Sequence, residues 1–158
     1  MPESLEAVLV GATQRAIETT AFLFAEPGVA ATDDAVVSPP PFVATVAFWG
    51  AHDGALSIEF PARLLPVLAM NVLGEEDTPG EDMQRDALGE LANIICGNVL
   101  PSLDPDGKFS LGPPAVSAAP ADVAGGLARV ATGELQIEGE KVGTTLWLRA
   151  PRSAAWSA

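Results

Sequence analysis

Residues 81–102 have the apolar period of a long amphipathic helix, which limits the fold because the apolar side of such a helix must be covered. On a wheel of about 100° per residue, seven apolar side chains share an arc of roughly 160°. They are Met83, Ala87, Leu88, Leu91, Ile94, Ile95 and Val99. We predict that this arc packs on the core. Asn98 projects into the middle of the arc, which predicts a buried amide bonded to backbone.

The rest of the chain alternates between helical and strand patterns, separated by turn-forming residues. In chain order we predict a helix from residue 5 to near residue 27, a hairpin of strands 42–50 and 55–60, a short helix over 61–74, the long helix, and a second hairpin of strands 127–140 and 141–150. Residues 108–126 begin like a strand but become rich in Pro, Ala and Gly, which predicts a mobile loop. This order predicts an α+β fold in which a largely antiparallel sheet packs against amphipathic helices.

Length and charge limit the class of protein. The chain has 158 residues, 48% of them hydrophobic, and this length predicts one domain with a substantial core. We assign residues 1–150 to that domain and residues 151–158 to a C-terminal tail. Eight Lys and Arg against 21 Asp and Glu give a net charge of −13, which opposes the phosphate contacts that dominate nucleic-acid binding. DNA and RNA are therefore not expected as partners.

Targeting signals and metal-binding patterns are not apparent in the sequence. The N-terminal segment has acids where a secretion signal has basic residues, and no run of about 18 uncharged apolar residues predicts a membrane span. Cys96 is the only cysteine and His52 the only histidine. Zinc sites built on Cys and His are therefore not expected, and the single cysteine fits a reducing compartment. We expect a cytoplasmic protein without membrane contact.

Four residues of the long helix form a compact stripe outside the apolar arc. Asp86, Glu90, Asn93 and Gly97 fall within about 60° of one another, because residues three and four apart lie on one face of a helix. The stripe offers two carboxylates and a carboxamide to one partner. Gly97 costs the helix roughly 1 kcal/mol relative to alanine, so either another backbone approaches there or the glycine serves routine helix packing. On pattern alone, such a stripe is most often a solvated face.

The spacing Asp86-x3-Glu90-x2-Asn93-x3-Gly97 resembles the signature of the CheC, CheX and FliY phosphatases of bacterial chemotaxis. All four positions match. The surrounding segments "ETTAF", "GALSIEFP", "NVLGEE" and "RDALGELANIICGNVLPSL" are most similar to the CheX-like domain, over most of residues 1–150. The resemblance therefore implies a CheC/CheX-like fold.

The same resemblance implies hydrolysis of the phospho-aspartate of a CheY-type response regulator. It implies that Asn93 orients the attacking water, that Glu90 pairs with a lysine of the partner, and that Gly97 lies at the contact. Asp86 could also touch the partner, but a peripheral or structural role through the helix dipole is favoured. Phosphoryl transfer needs positioned water and charge compensation more than a strong base, and an amide can both donate to and accept from water.

The resemblance also bears on the cofactor, the partner and the alternative functions. No cofactor is expected on this chain, and Mg2+ would be bound by the phosphorylated response regulator. The alternative is a non-catalytic module that binds the regulator as a phosphate sink or scaffold, and a weaker one is a structural relative of flagellar switch components. An unpaired sheet edge also offers a route to a homodimer.

Other candidate residues favour structural roles. Two-site members of the family carry a second Glu-x2-Asn, but here Glu18 is followed by Ala21, so the chain resembles a single-site member. The acidic residues 74–82 are expected to form a solvated loop. His52 is expected to be exposed at a hairpin tip, and Cys96 is expected to be a small packed or partly exposed residue.

Overall fold

The computed structural model describes residues 4–28, 40–118, 123 and 125–149, so the predicted tail lies outside the described residues. Its helices and strands follow one another along the chain. They are α1 (Leu5–Thr20), β1 (Glu26–Pro27), β2 (Phe42–Gly50), β3 (Gly54–Phe60), α2 (Leu65–Leu73), α3 (Glu81–Leu103), β4 (Phe109–Leu111), β5 (Ala115–Ser117), β6 (Leu127–Ile137) and β7 (Glu140–Arg149).

The described strands form one antiparallel sheet in the order β1-β6-β7-β3-β2-β4, and β5 pairs with β2 as well. Because side chains alternate across a strand, Leu56, Ile58 and Phe60 of β3 face the helices and are fully buried. Ser57 and Glu59 point to the other face, as predicted. The predicted α+β architecture, a largely antiparallel sheet packed against amphipathic helices, is therefore confirmed.

Helix α1 begins where the sequence predicts and ends earlier. The side-chain oxygen of Ser4 accepts a hydrogen bond from the N–H of Ala7 at 3.1 Å, which caps the first turn. The helix ends at Thr20, not near residue 27, because Phe22 adopts the left-handed conformation with φ of 56° and the chain then pairs with β6 as β1. Helical spacing continues past Thr20 in the sequence, but this pairing overrides it.

Residues 108–118 differ most from the sequence prediction. The segment begins as a strand, β4, as expected, but the part expected to be a loop contains a second short strand, β5, and both strands pair with β2. Residues 119–122 and 124 of the expected loop lie outside the described residues. Between them, the N–H of Gly112 donates to the carbonyl oxygen of Ala47 at 2.8 Å. Hydrogen bonds to β2 therefore hold this Pro-rich segment against the sheet, an outcome that local composition does not specify.

Helix α3 spans the predicted residues, but its buried side is rotated. Ala87, Leu88, Leu91, Ile95 and Val99 are buried as predicted. The predictions for Met83 and Asn98 are wrong: Met83 is 45% exposed and Asn98 is exposed, while Ile94 is half-buried. The opposite border is buried instead, at Gly89, Ala92, Cys96 and Leu100. The reason is that α3 packs on β2 and β5 as well as against α1 and α2, and this second flank cannot be read from the helix alone.

Candidate functional site

The stripe lies on the exposed side of α3 and borders its buried side at Asn93. Asp86, Glu90 and Gly97 are exposed, and Asn93 is half-buried. One α-helix holds all four residues, so their relative positions are set by helix geometry. The structure therefore brings the four predicted residues together on one accessible surface.

Asn93 lies at the border between the stripe and the buried side of α3. Its Oδ1 atom is buried and has no hydrogen-bond partner among the described residues. An unpaired buried polar atom costs about 1–3 kcal/mol. The carboxamide is therefore held in an unfavourable position in the free protein, and any contact that gives its oxygen a partner would recover part of this free energy.

Glycine has different surroundings at its two positions in α3. Among the described residues, a β-carbon built on Gly97 would meet no atom within 4 Å beyond the adjoining helix backbone, so packing against those residues does not explain that glycine. A β-carbon built on Gly89 would lie 2.9 Å from Cγ and 3.1 Å from Cβ of Pro114. Close approach within the chain therefore occurs at Gly89, a residue that the sequence interpretation missed.

The surface around the N-terminal half of the stripe is acidic. Residues 75–90 contain seven acids and a single basic residue, Arg85. The Arg85 guanidinium lies 5.6 Å from the centre of the Phe42 ring and 3.7 Å from Asp82, so it is engaged with its own chain. A partner that binds here must supply positive charge itself to match Glu90 and its neighbours.

The remaining candidates have structural roles. A carboxylate oxygen of Glu18 accepts a hydrogen bond from the N–H of Ala25 at 3.4 Å, and Ala21 is fully buried. His52 is exposed at the β2–β3 turn, where its ring stacks on Phe109 at 6.5 Å between centroids. Cys96 is fully buried, and burial raises the pKa of its thiol to about 12, which makes it a poor nucleophile.

The described residues contain neither a metal-binding cluster nor a membrane-spanning helix. Within residues 4–28, 40–118, 123 and 125–149, no group of three or more His, Cys, Asp and Glu side chains is arranged to hold a metal ion. Among the helices of these same residues, none combines the length and apolar character needed to cross a membrane.

A family model described as the chemotaxis phosphatase CheX matches residues 42–135 of the chain. The matched range contains β2, β3, α2, the whole of α3 with its stripe, β4, β5 and most of β6. No protein with a curated description matches the sequence.

Solved structures show the same architecture at low sequence identity. A CheX protein from Desulfovibrio desulfuricans is 19% identical, with a TM-score of 0.70 over 92% of this chain and 99% of that one. CheX from Vibrio vulnificus is 15% identical, with a TM-score of 0.68 over 94% and 99%. A CheX–CheY–BeF3–Mg2+ complex from Borrelia burgdorferi contains a chain that is 15% identical, with a TM-score of 0.64 over 95% and 100%. These likenesses confirm the predicted CheC/CheX-like fold.

Proposed function

The chain belongs to the CheX family of chemotaxis phosphatases, and we propose that it accelerates hydrolysis of the phospho-aspartate of a CheY-type response regulator. The observation that carries the proposal is the stripe on α3. Within a CheX-family fold, Glu90 and Gly97 are exposed and Asn93 lies beside them at the border of the core. A surface of this kind fits insertion into a partner's shallow active site, because one rigid helix presents all of its groups.

Asn93 supplies the catalytic group in this proposal. A carboxamide cannot act as a general base at neutral pH, but it can accept from and donate to one water molecule and so hold that water in line with the phosphorus. Because Oδ1 is buried and has no partner among the described residues, we expect the side chain to turn outward when the partner docks. Turning out relieves the cost of the unpaired oxygen, so docking and presentation of the amide favour each other.

Glu90 and Gly97 dock the partner. Glu90 is exposed and pairs with a lysine of the regulator, which sets the depth to which Asn93 enters. No described residue outside the adjoining helix backbone would contact a β-carbon at Gly97, so the regulator's backbone can approach α3 there. Asp86 is exposed one turn before Glu90 and lies at the edge of the contact.

The Borrelia burgdorferi assembly, which pairs a CheX with CheY, BeF3 and Mg2+, supports a CheY-type partner. In our proposal the Mg2+ is held by the regulator, where it neutralises charge that develops during phosphoryl transfer. Residues of this chain orient water and dock. The cofactor is therefore expected on the partner.

The test is loss of phosphate from a Mg2+-bound, phosphorylated CheY-type receiver from the same genome. We expect wild-type protein to accelerate the loss and Asn93→Ala to reduce the acceleration about 100-fold or more while binding persists, since misplacing a positioned group has effects of this size. Glu90→Ala should weaken docking and activity together. Asn98→Ala is the matched control, because Asn98 is an exposed asparagine of the same helix outside the stripe.

Each outcome has a distinct meaning. Equal rates for wild-type protein and Asn93→Ala would reject the catalytic assignment. Binding without acceleration by wild-type protein would favour the sink or scaffold. Absence of binding would show that the partner class is wrong.

A further inference from the structure

We propose that contact between Gly89 and the Pro114 ring fixes the position of Asn93, so that Gly89 and Pro114 are positioning residues for the reaction. This inference rests on the proposed function, because it assigns a role in placing the same amide. It concerns the flank of α3 that faces β5, which the motif does not include.

The contact at Gly89 leaves no room for a side chain. Gly89 is buried, and its missing β-carbon would lie 2.9 Å from Cγ of Pro114, 3.1 Å from Cβ of Pro114 and 3.6 Å from Cγ2 of Val116. The two shortest distances involve a proline ring, which cannot move aside as a flexible side chain can. The helix backbone therefore rests directly on Pro114.

Pro114 is itself held from both sides. The residue that follows it, Ala115, pairs with Thr45 of β2. The N–H of Gly112, two residues before it, donates to Ala47 of the same strand at 2.8 Å. Because Pro114 lies between two points anchored on one strand, the sheet edge acts as a rigid support for α3.

The support lies on the side of the helix where Asn93 sits. Gly89 and Asn93 are four residues apart, so they lie on the same face one turn from each other. Asn93 is half-buried with a sealed oxygen, whereas Glu90 is exposed. A small movement of α3 relative to β5 therefore changes the surroundings of Asn93 more than those of Glu90.

Gly89→Ala tests the support. The added methyl must move from 2.9 Å to at least 3.4 Å from Pro114 to reach an ordinary contact, which displaces α3 by about half an ångström. Since a 1 Å misplacement of a reacting group costs about 100-fold, we expect kcat to fall about 10-fold. KM for the phosphorylated receiver should change little, because the docking residue Glu90 keeps its exposure.

Combining Gly89→Ala with a second substitution distinguishes a loss of positioning from a general structural effect as the cause of a lower kcat. With Pro114→Gly the ring is absent, so adding Gly89→Ala should cause no further loss of kcat. With Asn93→Ala the positioned amide is absent, so Gly89→Ala should again have no further effect on the residual rate. Gly11→Ala is the control, since the three atoms nearest to its methyl belong to the flexible Arg15 side chain, the closest at 3.2 Å; it should leave kcat unchanged.

The results are read against wild-type protein and against unfolding measured on every variant. Wild-type kcat in Gly89→Ala, or an equal loss of kcat in all three backgrounds, would overturn the inference while leaving the proposed function intact. If wild-type protein does not accelerate hydrolysis, the proposed function fails and this inference fails with it. If Gly89→Ala does not fold, the single variant Pro114→Gly tests the inference. A lower kcat at constant KM would agree with a positioning role for Pro114, and an unchanged kcat would overturn that role.

Discussion

Replacing Gly97 with alanine should make this protein more stable and less active. Gly97 is an exposed residue well inside the ends of α3, and in the part of the chain that the structure describes an added β-carbon would meet no atom within 4 Å beyond the adjoining helix backbone. Alanine therefore gains its full advantage in helix propensity, about 1 kcal/mol. In a domain of 158 residues, this gain corresponds to a rise in Tm of about 2–4 °C.

The loss of activity has a separate cause. The added methyl group points into the space that the proposed function assigns to the partner's backbone. Overfilling a close contact costs about 1–3 kcal/mol, and about 1.4 kcal/mol is a factor of ten. We therefore expect kcat/KM for the phosphorylated receiver to fall about 5- to 150-fold.

Stability would be measured by urea unfolding, and activity by receiver dephosphorylation at limiting receiver concentration. Asn98→Ala is the matched control, because Asn98 is the next residue of α3, is exposed and lies outside the stripe; it should gain up to about 0.7 kcal/mol and keep wild-type activity. Wild-type activity in Gly97→Ala would refute the close approach of a partner. Lower stability would refute the inference that the space above Gly97 is open.

Three further predictions concern the fold. Burial raises the pKa of Cys96 from 9.0 to about 12, so the folded state holds the thiol proton more tightly than the unfolded state. Relative to Cys96→Ala, the free energy of unfolding of the wild-type protein should therefore fall above about pH 9 by up to about 1.4 kcal/mol per pH unit. A difference between the two proteins in urea unfolding that stays constant with pH would contradict this. Thr13 and Thr144 share a buried hydrogen bond of 2.9 Å, so Thr13→Val should cost about 1–3 kcal/mol in thermal unfolding, whereas the double change to valine should cost clearly less than that single change. Ser4→Ala removes the cap of α1 and should cost about 1 kcal/mol; an unchanged Tm would show that the cap is not used in solution.

The candidate site was largely visible in the sequence because it lies on one element. Asp86, Glu90, Asn93 and Gly97 share a face through the helical repeat alone, and the structure places them on one accessible surface. The surroundings of that face were not visible. Whether a glycine has open space or a proline ring beside it depends on which segment packs there, and that segment is more than 20 residues from Gly89 in the sequence.

The sequence by itself determined the order of the three helices and two hairpins, the extent of α3 and the composition of its stripe, because each depends on local period and turn chemistry. Tertiary structure decided three further features: the early end of α1 at Thr20, the pairing of residues 115–117 with β2, and the rotation of α3 that exposes Met83 and buries Gly89. All three result from contacts between segments far apart in the chain. A helical wheel gives the relative directions of side chains, but only the packed neighbours determine which of those directions becomes the core.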